Sequence, residues 1–166
     1  MCQIYETMLP NKISPLDETD KQILAILMKD ASTPYTDIAK MIHVSGGTVH
    51  VRMRKLEELG IVTGSTLNIN YAKLGYDITA FLGIYLDKSS FYDKVAAELQ
   101  NIPEVLAAYY TTGVYSIFVR IVCRDTNHLK EVLHDKIQKI NGIQRTETLI
   151  NLQESFNRPL DILLIG

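Results

Sequence analysis

The 166-residue chain reads as an α+β protein in two parts, a helical N-terminal unit and a C-terminal unit of strands and helices. Three observations predict this. Between Asp17 and Gly60 apolar residues recur at helical spacing in three segments. From Ile78 onward the apolar residues gather into short strand-length runs separated by two helical stretches. Between these regions, residues 70–77 are polar, contain Gly75 and show no period, as a linker does.

The elements follow in order. Residues 1–15 form an irregular arm with two prolines. The first helix opens at Asp17, an N-cap with Asp20 three residues on, and acids in the first turn suit the helix dipole. Ile23, Leu24, Leu27 and Met28 make its buried face. Asp30 to Thr33 is a loop, and Pro34 suits the first turn of a second helix. That helix, Thr36 to Ile42, carries Ile38, Ala39 and Ile42 on one stripe. His43 and Val44 break the phase, and Ser45 is a good N-cap for a third helix. There Val49, Met53 and Leu56 recur at i, i+4 and i+7, and Gly60 stands where a left-handed residue ends the helix. Two short helices and a tight turn make a helix-turn-helix. Residues 61–69 read as a short β-hairpin with Gly64 near its turn, in the position of a wing. The winged helix-turn-helix domain therefore spans 16–69, and the second domain 78–166.

Ile78 to Leu86 is a strand apolar on both faces, with Ala80, Leu82, Ile84 and Leu86 on one side and Phe81 and Tyr85 on the other. Such a strand must be covered on both sides. Ser90 caps a helix carrying Val95, Ala96, Leu99 and Ile102, which Pro103 ends. Val105 to Thr112 and Ser116 to Cys123 are strands joined through Gly113-Val114-Tyr115. Thr126 caps a helix with Leu129, Leu133, Ile137 and Ile140, Gly142 ends it, and Thr146 to Gln153 is a fourth strand. After Pro159, Leu160 to Ile165 can add an edge strand. The order β-α-β-β-α-β fits a ferredoxin-like sandwich whose helices cover one face of the sheet. The uncovered face, with Phe81 and Tyr85, is then a large apolar surface and marks a sheet-to-sheet dimer with two-fold symmetry.

The third helix carries the functional signal. Opposite its apolar stripe lie Gly47, Val51 and Arg54, flanked by Thr48, His50 and Lys55. Gly46 and Gly47 each cost roughly 1 kcal/mol against Ala. That cost is understandable where a helix N-terminus must approach another surface closely, as in a DNA major groove. The plain alternative is a solvated helix with a few bases. Arg52 projects only about 60° from the stripe, where it can reach a phosphate or lie along the core edge and pair with an acid. The formal net charge is −2, so any pull on nucleic acid comes from a local patch. Arg52, Arg54 and Lys55 supply one, with no acid between Ser45 and Lys55. The expected DNA-binding set is Ser45, Gly46, Gly47, Thr48, His50, Val51, Arg52, Arg54 and Lys55. Thr48, His50, Val51 and Arg54 would stand near base edges, Arg52 and Lys55 on phosphates, and the Gly46 and Gly47 N–H groups would assist.

Other chemistries find little support. His43, His50, His128 and His134 have no metal-ligand spacing, and His128 and His134 are expected at the surface. No GxSxG, Walker or GxGxxG motif occurs, so no catalytic residue, metal or cofactor is assigned. Cys2 and Cys123 share no motif spacing and suit a reducing compartment. With no secretory leader pattern and no apolar run near ~18 residues, a cytoplasmic protein without membrane contact is expected.

The chain resembles the Lrp/AsnC family of bacterial and archaeal regulators over roughly 16–165. The matching features are Leu16-Asp17-x-x-Asp20-x-x-Ile23-Leu24, Ile38-Ala39, Val44-Ser45, and the run Arg52-Met53-Arg54-Lys55-Leu56-Glu57-x-x-Gly60-Ile61-Val62-x-Gly64. Ile102-Pro103-Glu104-Val105, Thr112-Gly113-x-Tyr115 and Gly142-Ile143 continue it. The resemblance implies a ligand-sensing RAM-type domain behind the DNA-binding domain, dimers that assemble into tetramers or octamers, and regulation by amino acids or related small metabolites. The implied effector site is Thr112, Gly113, Val114, Tyr115 and Ser116, with Gln144 and Thr146. Two departures stand out. His43 occupies a turn position where the family usually has Gly, and Val114 and Ser116 replace acids that would pair with an effector's ammonium group. Some proteins resembling the family are tetrapyrrole enzymes, which leaves an enzyme, or a ligand-binding oligomer with a vestigial DNA domain, as alternatives. The intact caps and basic helix face favour a regulator.

Overall fold

The computed structural model describes residues 16–164, so the arm 1–15 lies outside the described residues. The chain divides into two compact units. One combines the residues up to Leu67 with the segment from Asn157, and the other runs from Asn68 to Phe156.

In the first unit, α1 spans Glu18–Leu27. The Asp17 carboxylate accepts from the Asp20 N–H at 2.9 Å, and the Asp20 carboxylate accepts from the Asp17 N–H at 3.3 Å, a reciprocal capping box. Helix α2 is Tyr35–Met41, with Pro34 in the N-cap position rather than the first turn. Helix α3 is Gly46–Glu58, capped by the Ser45 hydroxyl accepting from the Thr48 N–H at 3.0 Å. Ile23, Leu24, Ile38, Ala39, Val49, Met53 and Leu56 form one core. Leu27 is half-buried against that core and Met28, the C-cap, is exposed, so the apolar face of α1 stops one residue short of the expected set. His43 sits at φ 58°, the left-handed region that Gly enters without cost, and a residue with a Cβ pays about 1–2 kcal/mol there.

Two expectations for this unit fail. Residues 62–70 have no strand, so the wing hairpin is absent as a ladder. Ile61 and Val62 rest on the helical core, but Leu67 is 84% exposed, and a two-stranded hairpin standing clear of an apolar surface is marginal. The edge strand foreseen at Leu160 to Ile165 is, over the described residues, a 3-10 turn at Ile162–Leu164. Ile162 packs with the helical core, so the C-terminal segment returns to the first unit instead of extending the sheet.

In the second unit, β1 is Ile78–Leu86, α4 Tyr92–Gln100, β2 Val105–Tyr110, β3 Ile117–Cys123, α5 Thr126–Glu131 and β4 Ile143–Ile150. The four strands pair antiparallel in the order β2-β3-β1-β4, the ferredoxin-like arrangement expected. Ala80, Leu82, Ile84, Ile117, Val119 and Ile121 are fully buried with Val95, Leu99, Val132 and Ile137 of the helices. Three local assignments change. Ser90 lies inside a 3-10 turn, Ser89–Phe91, and caps nothing. Asp125, not Thr126, caps α5, its carboxylate accepting from the His128 N–H at 2.8 Å, because a charged oxygen is the stronger acceptor for a helix N-terminus. Strand β4 starts at Ile143 directly after Gly142, whose φ of +107° makes the reversal. No helix among the described residues is long and apolar enough to cross a membrane.

His128 is also not at the surface. It is 8% exposed, with Nδ1 accepting from the Arg124 N–H at 3.2 Å and Nε2 3.1 Å from Glu104 Oε1. Lys136, on a widened π-type turn at Val132–Ile137, reaches the same Glu104 oxygen at 2.6 Å. Burial pulls the Glu104 carboxyl upward, but the Lys136, backbone and His128 bonds outweigh it and hold it below the ordinary value. A folded-state pKa below the unfolded 4.5 means the pairing stabilises above that pH and is lost as pH falls through the folded value. Lys136→Met is therefore expected to be less stable than the parent at pH 7 by about 1–3 kcal/mol. The difference in thermal or denaturant unfolding should narrow below pH 4.5; a pH-independent difference would contradict the pairing.

Candidate nucleic-acid interface and effector turn

Burying Val49, Met53 and Leu56 decides what α3 presents outward. Val51 is 68% exposed, and Gly47, His50, Arg54 and Lys55 are exposed beside it. Arg54 Nε meets Glu58 Oε1 at 3.0 Å, a pair open to water on both sides and therefore of little net strength. The His50 ring lies 6.0 Å from that of Tyr35 on α2. Thr48, half-buried, shares a 2.8 Å hydroxyl hydrogen bond with Ser45. A Cβ at Gly46 or Gly47 would meet only ordinary contacts, at 3.9 and 3.7 Å. Packing within the chain thus does not demand glycine at either position.

Arg52 takes the second of the two courses open to it. Its Nη1 donates to Asp17 Oδ2 at 2.5 Å and to Asp20 Oδ1 at 2.8 Å. Those hydrogen bonds raise the guanidinium pKa, and the Arg52 bond foremost, with the Asp20 N–H, lowers that of Asp17. Of the bases expected to meet DNA, Arg52 is thus paired inward in this structure, whereas Arg54 and Lys55 face outward. The sequence left the acid partner unnamed because Asp17 is 35 residues away and already explained as a cap.

The turn after β2 has its own bracing. The Thr111 hydroxyl donates to the Tyr115 carbonyl at 2.5 Å, and the Ser116 N–H donates to the Ile84 carbonyl at 2.9 Å. Thr112, Gly113 and Val114 are exposed. The Tyr115 ring lies directly on β1 over Gly83, where a Cβ would fall 2.3 Å from the ring. Its hydroxyl donates to Glu147 Oε2 at 2.9 Å, and the Tyr85 hydroxyl donates to Glu147 Oε1 at 3.0 Å. The Arg145 guanidinium sits 3.9 Å above the Tyr85 ring. The tyrosine bonds, Tyr115 first, hold the Glu147 carboxyl below its usual range, and Glu147 raises the Tyr115 phenol.

Gln144 and Thr146 do not join this cluster. Thr146 pairs with Ile84, which is buried against the helices, and its hydroxyl lies 3.4 Å from Gln138 Nε2. Gln144 is exposed at the irregularity between the Tyr85↔Arg145 and Leu86↔Ile143 pairs. Strand alternation sends Arg145 and Glu147 to the uncovered face and Thr146 to the other. The residues that do surround Tyr115, namely Tyr85, Arg145 and Glu147, were missed because their meeting depends on the β1–β4 register. Gly83, a glycine inside an apolar strand, was the available sign of a close approach.

Comparison with known proteins bears on both sites. The AsnC-type helix-turn-helix domain matches residues 16–57, and the Lrp/AsnC ligand binding domain matches residues 79–160. The chain belongs to the Lrp/AsnC family. It is 45% identical to the regulatory protein AsnC of Escherichia coli over 87% of this chain and 95% of that one. It is 37% identical to the transcriptional regulator FL11 of Pyrococcus horikoshii, over 84% and 91%. The structure of E. coli AsnC superposes with a TM-score of 0.83 at 44% identity, covering 88% of this chain and 98% of that one. A Neisseria meningitidis regulator, in complex with L-Met, shares the fold at a TM-score of 0.84 and 23% identity, over 90% and 99%. As a member of this family the chain is a DNA-binding transcriptional regulator and not an enzyme.

The Gly83–Tyr115 contact is testable. Gly83→Ala forces the ring off β1, at a cost of about 1–3 kcal/mol for overpacking. With the Glu147 bond broken, spectrophotometric titration should show one tyrosine returning toward the ordinary value of 10.0. An unchanged titration curve would mean the ring does not lie where described.

Proposed function

We propose that this regulator reads DNA through α3 and is controlled by an amino acid or related small metabolite bound near the Thr112–Ser116 turn. The observation that carries the first half is the polarity of α3, greasy toward the core and small, polar and basic toward solvent. Its exposed residues match the needs of a major-groove helix. Thr48, His50, Val51 and Arg54 stand near base edges, Lys55 on a phosphate, and the Ser45, Gly46 and Gly47 backbone toward the phosphate chain. Arg54 exchanges a weak, solvated pair with Glu58 for a guanine edge. Acting on DNA, the protein works in the cytoplasm.

The active form is a dimer, and the uncovered sheet face is its interface. Phe81 and Phe118 stack at 5.7 Å there, with Tyr109 58% and Leu149 50% exposed beside them. Arg120 lies on the same face, opposite Phe81. Two copies then present two α3 helices to half-sites about one turn, ~34 Å, apart. Further assembly to tetramers or octamers builds on that dimer. At the effector turn, Val114 and Ser116 offer no carboxylate, which favours a ligand less dependent on its ammonium group than the family pattern implies.

Selection of duplexes from a random pool, with and without an amino-acid panel at fixed salt, tests this reading. A pseudo-palindromic sequence and an effector-dependent change are expected; recovery of no sequence preference would defeat it. Arg54→Ala should cost about 1–3 kcal/mol and relax preference at one guanine; an unaltered footprint would remove Arg54 from the reading surface.

A further inference from the structure

We infer that Arg52 is a positioning residue that sets the orientation of α3 by gripping the Asp17 and Asp20 carboxylates at the start of α1, and is not itself a DNA contact. The inference rests on the proposed role of α3 as the DNA-reading helix. Nη1 bonds Asp17 Oδ2 and Asp20 Oδ1 together. The Asp20 side chain is only 3% exposed and that of Arg52 29%, so this is not a loose surface pair. The same two carboxylates each accept the other residue's backbone N–H in the capping box at the start of α1. One guanidinium therefore ties the middle of α3 to the start of α1.

The apolar contacts between these helices, Ile23 and Leu24 against Val49, Met53 and Leu56, are strong but non-directional. A bonded charge pair supplies direction. Its neighbours make direction matter: Met53 is 6% exposed and Val51 68%, so Arg52 sits on the boundary between core and reading face. A small rotation of α3 about its axis would re-aim Val51 and Arg54 together.

Charge separates this idea from the obvious alternative. Asp17 is 54% exposed and negative. If electrostatics alone governed, deleting its charge would free Arg52 for phosphate and tighten binding to any duplex. If Arg52 positions α3, the same deletion should weaken binding to the preferred sequence only. Asp17→Asn is well suited, because Asn is as good an N-cap as Asp and the helix start survives.

The experiment uses the full chain, a duplex that the parent itself selects from a random pool, a scrambled duplex of equal length, and a salt series. Asp17→Asn and Arg52→Gln should each lose about tenfold for the selected duplex, the scale of one charged hydrogen bond. The scrambled duplex and the slope of log affinity against log salt should stay unchanged, and Arg52→Lys should restore part of the loss. Three results would overturn the inference: tighter binding of both duplexes by Asp17→Asn, no change in either variant, or a slope reduced by about 0.9 in Arg52→Gln, the mark of a lost phosphate contact. Should Arg52→Gln fail to fold with Asp20 left unpaired, Asp17→Asn alone decides. A parent that selects no sequence defeats the proposed function itself, a failure distinct from these.

Discussion

Burial of Val49, Met53 and Leu56 on one side of a 13-residue helix is the constraint from which the N-terminal unit follows. With a period of 3.6, sinking that stripe leaves no choice about what faces out: Gly47, Val51 and Arg54, with His50 and Lys55 beside them. The rest of the unit serves this placement. Ser45 satisfies an N–H in the first turn, His43 accepts an unfavourable φ so that α2 and α3 can meet at a tight turn, and Ile162 closes the core from the far end of the chain. Arg52, on the boundary of buried and exposed, supplies the orientation that apolar packing lacks.

The C-terminal unit answers a different constraint. A four-stranded sheet with helices on one side leaves its other face to be covered, and this one is neither polar nor simply greasy. Phe81 and Phe118 stack at its centre, while Tyr85, Tyr115, Arg145 and Glu147 bond to one another along one side. On the helix side, Glu104 and His128 are a buried polar pair that Lys136 reaches from the surface. The turn that follows β2 is thereby joined to β1 through Gly83 and to β4 through Glu147, so a ligand at that turn would press on a braced strand pair and not on a free loop.

Local patterns served well wherever a single periodicity and a cap decide the outcome. The strand Ile78–Leu86, the cap at Asp17, the cap at Ser45 and the left-handed Gly60 all stand as the residues imply. They served poorly where two distant segments compete or cooperate. The residues after Gly60 alternate like a hairpin, yet only Ile61 and Val62 pack on the helical core, and Leu67 stays exposed. Thr126 and Ser90 are plausible caps, but a neighbouring carboxylate and a preceding 3-10 turn displace them. His128 looks exposed by helical position and is buried because Glu104, 24 residues earlier, needs a partner.

Helix period, strand alternation, capping residues and turn glycines thus settled the two-part architecture and the outward face of α3, since each is an interaction between residues a few positions apart. Which charges remain available, and which side chains meet at the turn after β2, belonged to the tertiary structure. Arg52 is spent on Asp17 and Asp20, and Tyr115 lies with Glu147 instead of Thr146, because hydrogen bonds between segments depend on helix packing and strand register, and no local pattern encodes either.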